Sequence, residues 1–155
     1  MGNGAPFLKK HFLGVAMSKS SLPWYADGLS FKCTGCGKCC SGPTGYVWVT
    51  EEEIQNIANT LKISKEECEA KYVKLLYGRK TLTEIAVGHG VYDCVFLEGN
   101  KCTIYEARPS QCKTFPWWSE NIQSPEAWEM AKKRCEGIDH PEAILYSQQE
   151  IESHL

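Results

Sequence analysis

The sequence predicts a small, loop-rich α+β domain with short strands, one hairpin and about four helices. Three observations support this prediction. A chain of 155 residues suits one compact domain. Two helix-start signatures are each followed by apolar residues at helical spacing. The β-branched or aromatic runs are short, between four and seven residues.

Two helices are predicted near the middle of the chain, each by a capping-box signature. The first follows YVWV at 46–49, a β-branched and aromatic run that predicts a strand. Thr50 opens this helix, with Glu53 three residues later. Ser64 begins the second helix in the same way, and we expect that helix to run to about Leu76.

Two β segments are predicted after these helices. TLTEIAV at 81–87 has the composition of a strand. CVFLEGNKCTIY at 94–105 predicts a hairpin that turns at Glu98-Gly99-Asn100. If its two arms pair, Cys94 and Cys102 lie near each other across the ladder.

Two further helices are predicted to close the domain, after an irregular crossing at 107–118. The first starts at Ser124 and ends near Cys135, with Gly137 as its C-cap. The last runs from Pro141 onward, and its apolar residues are Ile144, Leu145 and Ile151.

Residues 1–22 are predicted to be a disordered extension of a domain at 23–155. The opening MGNGAPFLKKHFLGVA is rich in glycine and stops just before a second methionine, Met17. Its apolar stretch is shorter than the roughly 7–15 residues of a signal-peptide core. An organellar targeting segment, or a native start at Met17, remains an alternative.

Composition argues against two classes of partner. The formal net charge is −2, without the basic excess that is typical of proteins that bind nucleic acid. No apolar run approaches the roughly 20 residues that a membrane-spanning helix requires. We therefore expect neither nucleic acid nor membrane as a partner, and a cytoplasmic location.

Cysteine is the strongest functional signal in the chain. Four of the nine cysteines lie in CTGCGKCC at 33–40, separated by glycine-containing spacers. An odd number argues against a complete disulfide set, and without a secretory signal the thiols should stay reduced. In a reducing compartment, clustered cysteines are more often metal ligands or catalytic groups. Disulfides and reduced structural cysteines remain alternatives.

Eight of the nine cysteines are predicted to bind metal. A two-residue spacing can place both sulfurs on one ion or cluster. Three ligands in succession at this spacing resemble an iron–sulfur run, while single pairs also suit tetrahedral zinc. The preference is slightly for an iron–sulfur cluster over zinc. The ligands, which divide into two sets of four, are the cofactor-binding Cys33, Cys36, Cys39 and Cys40 together with Cys94, Cys102, Cys112 and Cys135.

Cys68 is set aside as a small apolar residue on a core-facing helix. Because loop-rich domains often need a staple, we expect the bound metal to hold the fold together, which makes the domain metal-stapled.

Charged and aromatic residues surround the predicted ligands in sequence. Arg108 is the best candidate for a structural or functional cation, since its guanidinium could clamp a carboxylate in two places. Basic residues also adjoin cysteines and would favour thiolates, namely Lys32, Lys38, Lys101, Lys113 and Arg134. Most of the neighbouring aromatic residues are expected in the core: Trp48, Phe96, Tyr105, Phe115, Trp117, Trp118 and Trp128.

Three segments together resemble the CxxCxxCC family of zinc- or iron-chelating proteins. They are FKCTGCGKCC, CVFLEGNKCTIYEARPSQCKTFPWW and CEGI, and the resemblance covers about Phe31 to Ile138. It implies that every cysteine except Cys68 belongs to the chelating set, including the late Cys135. Glu136 departs from the family, where proline often follows the late cysteine. Some members are flagellin lysine methyltransferases, but these are considerably larger, so their activity is not carried over.

The sequence thus favours an intracellular metal-binding protein that holds an iron–sulfur cluster or zinc through cysteine thiolates. One alternative is an enzyme, either a cluster-dependent redox protein or a modifier of protein lysines. Such an enzyme needs an open coordination position or an exposed thiol of low pKa. The other is a zinc-stapled interaction module, whose aromatic surface meets a protein partner.

Overall fold

Helices and short strands alternate along residues 21–155, the part of the chain that the computed structural model describes. The predicted α+β class is confirmed. Of the predicted extension at 1–22, all but the last two residues lie outside this range. The helices are α1 (Glu51–Leu61), α2 (Lys65–Tyr72), α3 (Ser110–Lys113), α4 (Ser119–Ile122), α5 (Pro125–Arg134) and α6 (Gln148–Glu152).

The described residues thus contain six helices where about four were predicted. The two additional ones, α3 and α4, are single turns of four residues each. Turns this short have no room for an apolar repeat, so the sequence pattern does not reveal them.

The strands of the described residues form four small antiparallel sheets. Their orders are β1-β9, β2-β6-β5, β3-β4 and β7-β8. The strands are β1 (Leu29–Phe31), β2 (Ser41–Gly42), β3 (Val73–Leu76), β4 (Arg79–Leu82), β5 (Glu84–Gly88), β6 (Val91–Cys94), β7 (Leu97–Glu98), β8 (Lys101–Cys102) and β9 (Ile144–Tyr146).

The second predicted helix is shorter than expected. It ends at Tyr72, and Val73 begins β3, which pairs with β4 from Val73↔Leu82 to Leu76↔Arg79. Leu75 therefore lies on an exposed strand, with 71% of its surface accessible, and not on a core-facing helix. The pairing partner lies outside the helical window, so local periodicity could not reveal this switch.

Two strand predictions also need correction. The segment 81–87 is divided at Thr83 into the end of β4 and most of β5, which belong to different sheets. The segment 46–49 forms only an isolated bridge, between Trp48 and Thr81. One reason is that the Val47 N–H donates to the hydroxyl of Thr81, at 3.0 Å, where a ladder would use a carbonyl.

The hairpin prediction is correct in its turn but not in its extent. Glu98 pairs with Lys101 across Gly99 and Asn100. The residue opposite Cys102 is Leu97, because the ladder of β7 and β8 is only two residues long. Cys94 lies on β6, in a different sheet.

The last predicted helix is replaced by a strand followed by a short helix. Residues Ile144–Tyr146 form β9, which pairs with β1, and helix α6 starts only at Gln148. Ile151 is buried as predicted, while Ile144 and Leu145 are exposed on the strand. Strand β1 lies at the other end of the described chain, and no local pattern reveals such a partner.

The helix predicted from Ser124 is confirmed, but the role of Gly137 is different. The cap of α5 is Cys135. Gly137 lies beyond it, where its carbonyl accepts a hydrogen bond from the Lys32 N–H at 2.9 Å. A Cβ at Gly137 would overlap the Lys32 carbonyl oxygen. Close backbone approach therefore explains this glycine, and it joins the end of α5 to the residue before Cys33.

Two hydrophobic cores position the cysteine-rich segment. In the first, Trp117 stacks on Trp128 with ring centroids 5.6 Å apart. Its buried residues are Leu29, Phe31, Trp117, Ile122, Trp128, Ala131, Cys135, Ile138 and Ile151. The second lies around α1 and α2, and its buried residues are Val49, Ile54, Ile57, Ala58, Cys68, Leu82, Phe96 and Ile104.

The thiols are attached to both cores. Cys135 is part of the first core, and Cys94 and Cys102 pack against the second.

Candidate metal centre

A wrapped loop carries the first four cysteines between β1 and β2. Gly37 takes a left-handed conformation, with φ 73°, and starts a 3-10 turn over Lys38–Cys40. The Cys40 N–H closes this turn on the Gly37 carbonyl at 2.9 Å. Strand β2 follows directly and pairs with β6 at Ser41↔Asp93. This pairing brings the loop to Cys94, the last residue of β6.

The loop closes over a small cavity of about 50 Å³. A water molecule in the liquid takes up about 30 Å³, so the cavity has room for an ion or a water. Both hydrophobic cores contribute thiols to it. The cysteines that line the cavity are Cys33, Cys36, Cys39, Cys40, Cys102 and Cys135, accompanied by Phe31, Tyr105, Arg108, Phe115 and Arg134.

Cys40 interacts with two other thiols. Its Sγ lies 3.9 Å from that of Cys39, and its pKa is also affected by Cys102. Hydrogen bonds to Cys102 and Cys39 raise the pKa of Cys40. The bond from the Cys40 thiol lowers the pKa of Cys39 to about 7 and that of Cys102 to about 6. A lowered pKa favours the thiolate, which is the form that metals bind.

Cys94 and Cys112 join the same group. Burial raises the pKa of Cys94, and the neighbouring sulfur of Cys102 raises it further. Burial, followed by the charges of Cys94, Cys39 and Cys102, raises the pKa of Cys112 to about 12. We call the five residues Cys39, Cys40, Cys94, Cys102 and Cys112 the central thiol group.

The other three predicted ligands lie beside this group. Burial raises the pKa of Cys135, and the sulfurs of Cys36 and Cys39 add to the effect. Cys33 accepts a hydrogen bond from the Tyr105 hydroxyl, which raises the pKa of Tyr105. Cys39 therefore interacts electrostatically both with the central thiol group and with Cys135. The division into two sets of four stays a prediction.

Cys68 is far from this chemistry. It is fully buried in the second core. Burial and the charge of Glu69 raise its pKa, and no other cysteine contributes.

The donor chemistry fits a thiolate-bound zinc or iron centre. All nine cysteines are free thiols, and none forms a disulfide. Within residues 21–155, no three Cys, His, Asp or Glu side chains are already spaced around one point as metal ligands. Closing the thiols on an ion therefore requires side-chain rotation, which the exposed or half-buried cysteines of a glycine-containing loop permit.

The basic residues near the cysteines have different partners. Lys32 pairs with Glu142 at 2.6 Å, and Lys38 pairs with Glu136 at 2.9 Å. These exposed pairs neutralise two of the five predicted cations.

Arg108 does not clamp a carboxylate among the described residues. Its guanidinium lies 3.5 Å from the ring centroid of Tyr105, and its Nε donates to the Tyr105 carbonyl at 2.7 Å. Sequence reasoning selected this cation but assigned Tyr105 to the core, although it is 37% exposed. The adjacent YEAR segment was the available signal for the pair.

Free thiols that short sheets gather at a single cavity define the chain as a cysteine-cluster domain. It belongs to the CxxCxxCC family, described as "Putative zinc- or iron-chelating domain", whose model matches residues 32–136. This confirms the family resemblance expected from the sequence.

A curated relative extends the comparison. An uncharacterized protein of Methanocaldococcus jannaschii is 35% identical over 95 residues, which are 60% of this chain and 48% of that protein. The chain thus spans about half the length of this relative. No solved structure matches. No helix in the described part of the chain is long and apolar enough to cross a membrane.

Proposed function

We propose that this protein binds zinc or iron through the thiolates of its clustered cysteines. The observation that carries the proposal is the thiol cavity, which six free cysteines line. A metal ion displaces the protons of such thiols when it binds. The residues proposed to hold the metal are Cys33, Cys36, Cys39, Cys40, Cys94, Cys102, Cys112 and Cys135.

An iron–sulfur cluster is the preferred form of this metal, with zinc as the alternative. The succession of Cys33, Cys36 and Cys39 supports the preference. A cluster would supply electron transfer, whereas fully coordinated zinc would supply cross-links that hold the loops together. Either form needs reduced thiols, so a reducing compartment such as the cytoplasm is part of the proposal.

Metal analysis of natively purified, anaerobically handled protein tests this proposal. We expect brown protein with iron and acid-labile sulfide, because sulfur-to-iron charge transfer absorbs visible light. A colourless preparation with about two zinc ions per chain, one for each four thiolates, would reject the cluster but keep the metal. Protein that contains neither metal after purification without chelators would overturn the proposal.

A protein partner is a second candidate function, supported by an exposed aromatic face. This face consists of Tyr46, Trp48, Leu75 and Tyr77. The rings of Tyr46 and Trp48 stack at 5.0 Å, and Tyr77 is 82% exposed. Arg79 lies over Trp48 at 4.2 Å and has no carboxylate partner among the described residues. We propose that the face receives a protein segment with apolar and acidic side chains.

The double variant Leu75→Ser, Tyr77→Ser tests this second function. Both side chains are exposed, so we expect the fold and the metal content to be unchanged while association is lost. Proteins that bind wild type and not the variant are identified by quantitative mass spectrometry, and binding is then repeated with purified components. Equal binding of the purified partner to both proteins would contradict the proposed role of this face.

A further inference from the structure

Arg108 is a cation that the thiol cavity holds in place. It lines the cavity together with Cys39 and Cys102. Two contacts fix its side chain, the stacking on Tyr105 and the hydrogen bond from its Nε to the Tyr105 carbonyl. Tyr105 itself lines the same cavity, together with Cys33 of the loop. The guanidinium is therefore held against Tyr105 before any ligand binds.

The charge of Arg108 is not used elsewhere in the described part of the chain. The ion pairs there involve lysines, and Arg108 has no carboxylate within 4.0 Å. A half-exposed cation without a carboxylate, at the wall of a thiol cavity, is complementary to an anionic centre.

We propose that Arg108 is a positioning residue of the metal centre, which offsets the negative charge of the bound thiolates. This inference rests on the proposed function. Four thiolates around one divalent ion carry a net charge of −2, which a nearby guanidinium stabilises.

Competitive zinc titration of reduced, metal-free protein tests the inference. Zinc is a suitable probe because thiolate sites bind it whatever their native metal. We expect Arg108→Gln, which removes the charge, to weaken zinc binding by about 10- to 100-fold, as is usual for residues that support metal ligands. Arg108→Lys keeps the charge, and we expect it to bind zinc nearly as tightly as wild type.

Arg79→Gln is the matched control. Arg79 also stacks on an aromatic ring, that of Trp48, but contributes to no cysteine cavity. We expect its zinc affinity to equal that of wild type. Thermal unfolding of the metal-free variants, followed by circular dichroism, reports any loss of folding that is independent of charge.

Three outcomes would overturn the inference. Zinc affinity of Arg108→Gln equal to that of wild type would show that the charge has no role. Equal losses of zinc affinity in Arg108→Gln and Arg108→Lys would assign the effect to packing on Tyr105. A loss of the same size in Arg79→Gln would assign it to a general electrostatic effect. Wild-type protein that binds no zinc or iron at all would instead refute the proposed function, and this inference with it.

Discussion

Cys39→Ser is expected to lose metal, whereas Cys68→Ser is expected to keep it. Cys39 is an exposed thiol that belongs to the central thiol group and also influences Cys135. Removing one sulfur from a four-thiolate site leaves it incomplete, so the metal content should fall to about half of the wild-type value or less. Elemental analysis of both variants, purified as wild type is, measures the effect.

The two variants should also differ in the stability of the metal-free protein. Serine at Cys39 replaces an exposed side chain and leaves the cores intact. Serine at Cys68 places a hydroxyl at a fully buried position, which costs about 1–3 kcal/mol of unfolding free energy. If Cys68→Ser fails to fold, Cys68→Ala serves in its place. Full metal content in Cys39→Ser would remove this residue from the proposed ligands, and metal loss in Cys68→Ala would place Cys68 among them.

Gly37→Ala is expected to destabilise the thiol loop more than any neighbouring substitution of the same kind. Gly37 has a positive φ, and a Cβ there would overlap the carbonyl oxygen of Asn100 in the turn between β7 and β8. The left-handed conformation costs an alanine about 1–2 kcal/mol. The overlap adds about 1–3 kcal/mol, because backbone cannot rotate away as a side chain can.

Gly35→Ala is the control for this prediction. Gly35 has nearly the same φ, 69°, in the same loop, but a Cβ there meets nothing within 4 Å. It should therefore suffer only the conformational cost, and the difference between the two variants isolates the packing of the loop on the hairpin turn. Urea unfolding in reducing buffer gives both free energies. Equal destabilisation would mean that the loop does not seat on Asn100.

Much of the fold follows from short-range signals. Helix α1 is predicted correctly because its capping box joins Thr50 and Glu53, and the structure contains both hydrogen bonds. Helix α5 is predicted correctly since the Ser124 hydroxyl accepts from the Ala127 N–H three residues later. Strand β9 was missed because its partner, β1, lies far away in the sequence. Strand β3 was missed because its pairing with the adjacent β4 outweighs the helical pattern of the preceding residues.

The candidate site also combines features that the sequence predicts with features that depend on the fold. Spacing alone separates Cys68 from the clustered cysteines, and its full burial agrees with that choice. The grouping of the sulfurs could not be predicted. Cys40 lies beside Cys102 because β2 pairs with β6 and because Gly37 packs on the β7–β8 turn.

The pairing of β1 with β9 has a consequence for how the protein matures. Strand β1 leads into the thiol loop, yet its partner, Ile144–Tyr146, comes after the last cysteine in the chain. A ribosome therefore synthesises every cysteine before the strand that anchors the loop exists. We therefore expect the loop to reach its finished geometry, and to bind metal in it, only after these late residues have been made.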